Sequence, residues 1–388
     1  MSAPRICLVA GEESGDQLGG PLIRALRRRA PDAVIAGVGG PAMEAEGLTS
    51  LFPMQDVAVM GFLPVLARLP TLVRRVRETV RAVLADPPDV LVLIDSPGFT
   101  HAVAKRVRRR LPALPVVDYV SPSVWAWRPR RAARMRAYVD HVLALLPFEP
   151  EAHRELGGPR CTYVGHPLAE RLDELEPDAE ERAAREAELP TLLVLPGSRR
   201  SEIERLMPVF GETVAEVARR VGPFDLVLPA VAHHRARIEM LAESWPVRPR
   251  IVAGEARKHA AFRRARAALA ASGTVTLELA LAGVPMVVAY KVSRAEEFVA
   301  RRLIRVATIV LPNLVLGRNA VPELIQAACT PEGLADEVAP LLEGGEARAA
   351  QVAALAEVAA RVRVPEPPSE AAARLVLEPL SRAGEGQG

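Results

Sequence analysis

Short apolar runs alternate with amphipathic stretches through both halves of the chain, and this alternation constrains the fold more than any other feature. It is the pattern of parallel sheets covered by helices. In the first half the runs predict strands at Ile6–Ala10, Val34–Val38, Val90–Asp95, Val116–Val120, Val142–Leu146 and Thr162–Val164. Between Leu168 and Leu189 the sequence turns to Ala, Glu, Arg and Asp with Pro177 inside it, and strand character is lost. A second series starts at Thr191–Leu195 and continues through Leu226–Leu228, Arg250–Val252, Ala267–Ala271 and Met286–Ala289. The expected organisation is an α/β domain over 1–168, a charged linker over 169–189 and a second α/β domain over 190–362. An arm over 363–388, opened by Pro365, Pro367 and Pro368, packs elsewhere. Two similar halves imply a cleft, and ligands of open α/β sheets bind outside the carboxyl ends of the strands.

With 388 residues the chain holds about two domains, and 49% apolar with 25% charged residues is a globular composition. A net charge of +3 and only 4% aromatic residues argue against a nucleic-acid partner. Cys7, Cys161 and Cys329 are few and far apart, which fits a reducing compartment and gives no metal spacing. There is no leader pattern after Met1 and no run of ~18 apolar residues, so a cytoplasmic location is expected. No Asp-x-Asp pair occurs, so neither a metal nor another cofactor is expected.

The loops after the strands carry the polar chemistry. In Ala271-Ser-Gly-Thr-Val-Thr-Leu-Glu278, Ser272 and Gly273 form a tight turn and Thr274 begins a helix whose free N–H groups suit a diphosphate. Glu278 falls on the same helix face as Thr274, where a carboxylate can accept from the two hydroxyls of a ribose. The same residues would also serve an N-capped helix with a surface Glu. Leu195-Pro-Gly197-Ser198-Arg199-Arg200-Ser-Glu202 repeats the arrangement, with two arginines that can oppose a leaving diphosphate. Two such loops in one domain make a nucleotide the expected ligand.

In the first half, Gly11-Glu-Glu-Ser14-Gly15-Asp16 is a glycine-rich turn without the G-x-G-x-x-G spacing; it either orients a polar substrate or is a plain strand-to-helix turn. Asp95 ends a strand before Ser-Pro-Gly98, which suits a general base or a helix-capping Asp. Ser121-Pro-Ser-Val-Trp125-Ala-Trp127-Arg-Pro-Arg-Arg131 places two of three tryptophans beside an arginine cluster. Their faces can meet sugars or acyl chains and the arginines a phosphate, or the pair can pack in a core. Phe62-Leu-Pro-Val-Leu-Ala-Arg-Leu69 is apolar enough to dip into an anionic leaflet through Phe62, Leu63, Val65, Leu66 and Leu69.

Gly11–Asp16, Gly39–Met43, Met60-Gly61, Ile94–Pro97, Tyr119–Trp127, Leu146–Glu149, Val164–Pro167, Leu195–Arg199, Ala271–Glu278 and Leu311–Arg318 run in order over nearly the whole chain. Together they resemble the lipid-A-disaccharide synthase family. The resemblance implies a GT-B fold of two Rossmann-like domains facing across a cleft. It implies an inverting glycosyltransferase that joins UDP-2,3-diacylglucosamine to 2,3-diacylglucosamine 1-phosphate, giving a β-1,6 disaccharide and UDP. On that model Asp95 deprotonates the acceptor 6-hydroxyl. Gly197, Ser198, Arg199, Arg200, Ser272, Gly273, Thr274, Glu278, Asn313 and Arg318 hold the donor. Ser14, Gly15, Asp16, Met60, Gly61, Ser121, Trp125 and Trp127 serve the acceptor. The enzyme would sit on the inner face of the inner membrane, and its arm returns to the first domain or is exchanged in a homodimer. Pro64 stands where the family often has Glu, and Thr100 replaces a frequent Asn, both on the acceptor side. A UDP-N-acetylglucosamine 2-epimerase-like enzyme or a non-catalytic nucleotide-sugar sensor would use similar donor loops without an apolar acceptor surface.

Overall fold

The computed structural model describes residues 3–58, 68–303 and 306–385. The chain divides into two units, Met1–Glu170 with Val364–Gly388, and Arg171–Arg363. The first unit holds β1 (Arg5–Ala10), β2 (Val34–Val38), β3 (Val90–Ile94), β4 (Val116–Tyr119), β5 (His141–Ala144) and β6 (Arg160–Tyr163). The second holds β7 (Thr191–Leu195), β8 (Asp225–Ala230), β9 (Arg250–Ala253), β10 (Ala267–Ala271), β11 (Met286–Tyr290) and β12 (Glu323–Ile325). The sheet orders are β2-β1-β3-β4-β5-β6 and β12-β11-β10-β7-β8-β9, and every pairing is parallel.

Strand periodicity explains why the central strands are apolar throughout. Ile6, Leu8 and Ala10 of β1 enter a core with Leu22, Ile23 and Leu26 of the helix Glu13–Arg29. Cys7 and Val9 point the other way, into a core with Val103 and Val107 of the helix Thr100–Arg108. Each of the Val, Leu and Ile side chains contributes roughly 1.5–3 kcal/mol by leaving water, so neither face can be polar.

The helix Pro368–Glu385 lies on the helix Glu13–Arg29 and adds Ala371, Ala372, Ala373, Leu375 and Val376 to the first of these cores. Arg29 Nε donates to Glu370 at 2.9 Å at its start, and Arg28 joins the same carboxylate. The arm therefore completes the first unit's own core.

The stretch read as a linker is different from that expectation after residue 170, because 171–189 folds as part of the second unit. The helix Ala179–Arg185 opens with a capping box in which Asp178 accepts from Glu181 N at 2.8 Å and Glu181 from Asp178 N at 3.2 Å. Arg263 Nε donates to Glu181 at 2.8 Å, and Arg185 Nη2 donates to the Ala282 carbonyl at 2.7 Å. This segment docks by charge pairing and carbonyl capping, which leaves no apolar stripe for periodicity to reveal.

Strand order reverses between β1 and β3 in the first sheet, and between β7 and β10 in the second. At such points consecutive crossovers leave in opposite directions and the loops at the carboxyl ends part to leave a crevice. Among the described residues no helix is long and apolar enough to cross a membrane.

Candidate functional site

At the reversal in the second sheet, the loops after β7, β8, β9 and β10 enclose a cavity of about 530 Å³, the size of a small-molecule site. Gly197, Ser198, Arg199, Ser272, Gly273, Thr274 and Glu278 all line it. Gly197 has φ +106°, and a Cβ there would stand 2.6 Å from the Glu202 carboxylate, so only glycine fits. Glu202 is itself buried and accepts from Arg199 Nη1 at 2.9 Å, which fixes the start of the guanidinium while leaving much of it exposed.

The helix Thr274–Leu281 begins at the cavity wall, after Gly273 at φ +153°. Ser272 Oγ donates to the Ile309 carbonyl at 2.8 Å and pins the turn. Thr276 N donates to the Gly273 carbonyl at 3.1 Å, which leaves the N–H groups of Thr274 and Val275, both at the cavity lining, without an intrahelical acceptor, an arrangement that suits an anion. One turn on, Glu278 is mostly buried, with Lys258 Nζ 2.7 Å from its Oε2; the same ammonium is 2.9 Å from Glu255. Sequence reasoning missed Lys258, although it is one of only three lysines in the chain.

Three other donor candidates lie elsewhere. Arg200 turns outward and donates to Glu204 at 2.8 Å. Asn313 is buried, with its amide oxygen accepting from Ala320 N and Val321 N at 2.9 Å each and its nitrogen donating to the Val321 carbonyl at 2.9 Å. Both ends of that amide hold the loop after Leu316, so none is left for a ligand. Arg318 pairs with Glu357 at 2.6 Å on the surface.

At the reversal in the first sheet, Ser14 Oγ donates to Asp95 Oδ2 at 2.6 Å, joining the start of the helix Glu13–Arg29 to the loop after β3. Ser96 N donates to Asp95 Oδ1 at 2.7 Å. Asp95 and Ser96 have φ +55° and +44°, and Val120 and Arg128 in the next loop have +94° and +54°. Strain at non-glycine residues costs of order 1–3 kcal/mol each and concentrates at functional sites. These loops are held in place against that cost.

Two neighbouring acceptor candidates have internal roles. Asp16 is 1% exposed and accepts from Gly40 N, Ala42 N and Met43 N at 2.8, 2.9 and 3.0 Å, so its carboxylate caps the helix Pro41–Ala45. Gly15 permits close approach, because a Cβ there would meet the Ile94 carbonyl at 2.8 Å. Met60, Gly61, Phe62, Leu63, Val65 and Leu66 lie outside the described residues; Leu69 is exposed.

Trp125 and Trp127 are half-buried after β4. Arg128 sits 4.4 Å over the Trp127 ring, while Trp125 meets Phe148 edge to face at 5.1 Å. Ser121 is buried and bonded to His153 Nε2 at 2.9 Å. Trp125 Nε1 donates to Glu149 Oε1 at 3.1 Å, and Leu145 N and Leu146 N donate to Oε2 at 3.1 and 3.0 Å. Glu149 thereby ties the loop after β5 to the tryptophan loop, a role with no signal beyond the Pro-Phe-Glu turn after the strand.

Burial raises the Glu149 carboxyl from the ordinary 4.5 to about 7 despite those hydrogen bonds. Between these values the unfolded chain has lost the proton while the folded protein keeps it, so stability falls as pH rises through this window. The contribution amounts to roughly 3 kcal/mol once pH exceeds 7. Denaturation of the wild type and Glu149→Gln at pH 5 and pH 8 is expected to show a steeper loss in the wild type. Equal slopes would remove Glu149 as the group responsible.

Comparison with known proteins identifies the family and the fold. The family model described as lipid-A-disaccharide synthetase matches residues 6–375. The chain belongs to that family. A lipid-A-disaccharide synthase of Nitrobacter hamburgensis is 56% identical over 381 residues, covering 98% of this chain and 96% of the relative. One of Rhodospirillum centenum is 46% identical over 382 residues, 97% of this chain and 95% of the relative. This synthetase family consists of glycosyltransferases, and the chain is one of these enzymes. Among solved structures, a putative UDP-N-acetylglucosamine 2-epimerase from Listeria monocytogenes aligns at TM-score 0.62 with 14% identity, covering 99% of this chain and 98% of the other. MurG of Acinetobacter baumannii aligns at 0.59 with 14% identity, covering 97% and 99%. At that identity the likeness carries the fold, which is of the GT-B class.

Proposed function

We propose that this synthetase transfers 2,3-diacylglucosamine from UDP to the 6-hydroxyl of 2,3-diacylglucosamine 1-phosphate. The anomeric centre is inverted, and the products are a β-1,6-linked disaccharide 1-phosphate and UDP. The observation that carries this reading is the second unit's cavity, which is lined by a glycine turn with Arg199, a helix start at Thr274 and the mostly buried Glu278. Those groups match a diphosphate and a ribose in the right order. The diphosphate meets N–H groups and a guanidinium, and the ribose hydroxyls donate to the carboxylate.

In the reaction, the acceptor oxygen attacks the anomeric carbon as Asp95 takes its proton. The bond to the diphosphate breaks, its electron pair leaves with UDP, and Arg199 with the N–H groups at Thr274 stabilises the charge that develops there. No step calls on a metal. The exposed Leu69 closes the apolar run from Phe62, the segment by which the enzyme would meet the membrane surface that holds its acylated substrates.

Two measurements test this function. The decisive one is UDP release from the diacylated donor, which should need the monosaccharide 1-phosphate; a free epimer formed without acceptor would favour the epimerase reading instead. The second concerns Glu278. A hydrogen bond to a charged group is worth about 1.5–3 kcal/mol, so Glu278→Ala should weaken UDP binding by about 10–100-fold. Titration calorimetry with UDP and with its 2′-deoxy analogue checks this, since the variant should no longer distinguish them. Undiminished discrimination would place the ribose elsewhere.

A further inference from the structure

The helix Thr100–Arg108 follows the Asp95 loop, and the helix Arg130–Met135 follows the tryptophan loop. Together they bring cations close enough to feel one another's charge. Lys105 lies 4.9 Å over the ring of Tyr138. Partial burial holds its ammonium below the usual lysine range, and the charges of Arg131, Arg134 and Arg106 push in the same direction. Arg131 is half-buried and also lowered, first by burial, with Arg128 adding to it.

Most arginines elsewhere in the described residues have a carboxylate partner, as Arg154 has Glu151 and Arg348 has Glu186. Lys105, Arg128, Arg131 and Arg134 have none among the described residues. The acidic group behind them, Asp118, is 1% exposed and bonded to His101 Nε2 at 2.9 Å. Grouped like charges without a counter-charge raise the energy of the fold, and an anion placed among them lowers it.

The cluster also has a fixed place relative to the reaction. Arg131 Nη2 is 3.5 Å from the Pro97 carbonyl, and Pro97 follows Asp95 by two residues. The guanidinium therefore stands against the loop that carries the carboxylate. Strain at Asp95, Ser96, Val120 and Arg128 marks both loops that border this space.

We propose that Lys105 and Arg131, flanked by Arg128 and Arg134, bind the phosphomonoester of the acceptor while Asp95 addresses the hydroxyl at the other end of the same sugar. This assignment rests on the function proposed above, and it makes the cluster the feature that selects a phosphorylated acceptor. Guanidinium groups suit a phosphate because they donate in pairs, and the ammonium adds a point charge.

The test compares the 1-phosphate acceptor with the same acceptor lacking phosphate, in wild type, Arg131→Gln and Lys105→Gln. Preference for the phosphorylated acceptor in kcat/KM should fall by about 10–100-fold in each variant, through KM, with the donor KM unchanged. Lys105→Gln guards against a folding artefact, since Lys105 is exposed and its ammonium lies over the Tyr138 ring face. Equal losses on both acceptors, or none on either, would overturn the assignment. Titration with glucosamine 1-phosphate separates the two levels of inference. Saturable binding lost in Arg131→Gln, without turnover by the wild type, would keep the anion site and reject the reaction. Phosphatidylglycerol vesicles separate a lipid headgroup from the acceptor. Sedimentation lost in the variants with acceptor preference intact would overturn the assignment in favour of a membrane contact.

Discussion

Asp95→Asn should leave UDP binding intact and reduce turnover by about 10²–10⁴-fold, the usual contribution of a general base. The substitution is clean for a structural reason. Asp95 has φ +55°, a conformation that Asn tolerates better than nearly any other non-glycine residue. The amide oxygen can still accept from Ser14 Oγ or Ser96 N, which now donate at 2.6 and 2.7 Å. What Asn cannot do is take a proton from an attacking hydroxyl. Asp95→Ala would be a poorer test, since it removes both hydrogen bonds and adds backbone strain. Single-turnover measurement with donor and acceptor in place distinguishes the outcomes; a rate within a few-fold of the wild type would take Asp95 out of the mechanism.

Legibility in the sequence followed apolar length. Runs such as Val90–Ile94 and Ala267–Ala271 are buried on both faces and stand out against any neighbour. Strand β12 went unseen because it has three residues, only partly buried, and one of them is Glu323. The turns after β7 and β10 were legible because a glycine break after a strand leaves few alternatives for the backbone. Side-chain direction was not. Arg199 and Arg200 read as a pair, yet Arg199 is the extended cap residue and Arg200 the first helical one, so Arg200 points along its own helix to Glu204. Asn313 entered the donor set through the family's Leu-Pro-Asn block, which carries no information on where its amide points. Its amide instead satisfies the backbone of a loop seven and eight residues on. Lys258 illustrates the reverse case, since nothing local marks it and only the packing of its helix brings it to Glu278.

Asp16 offers the second large effect, and it separates a structural carboxylate from a catalytic one. Its three acceptances satisfy the backbone donors of Gly40, Ala42 and Met43, groups at a helix start that no intrahelical carbonyl can reach. In Asp16→Ala those donors stay buried without partners. Each costs about 1–3 kcal/mol, and allowing for relaxation the variant should lose roughly 3–5 kcal/mol. That is a large share of the roughly 5–15 kcal/mol by which domains are stable. Asp16→Asn should fall between, because one oxygen can still accept while the amide nitrogen opposes a backbone donor. Gly40→Ala should approach the same loss from the other side, since its Cβ would stand 2.8 Å from Asp16 Oδ2. Chemical denaturation reads all three, and UDP titration provides the control in the other unit. If Asp16 oriented the acceptor, Asp16→Asn would lower turnover at unchanged stability, and the capping role would be excluded. The near-complete burial of the carboxylate argues for the opposite result, in which activity declines only as far as the folded population does.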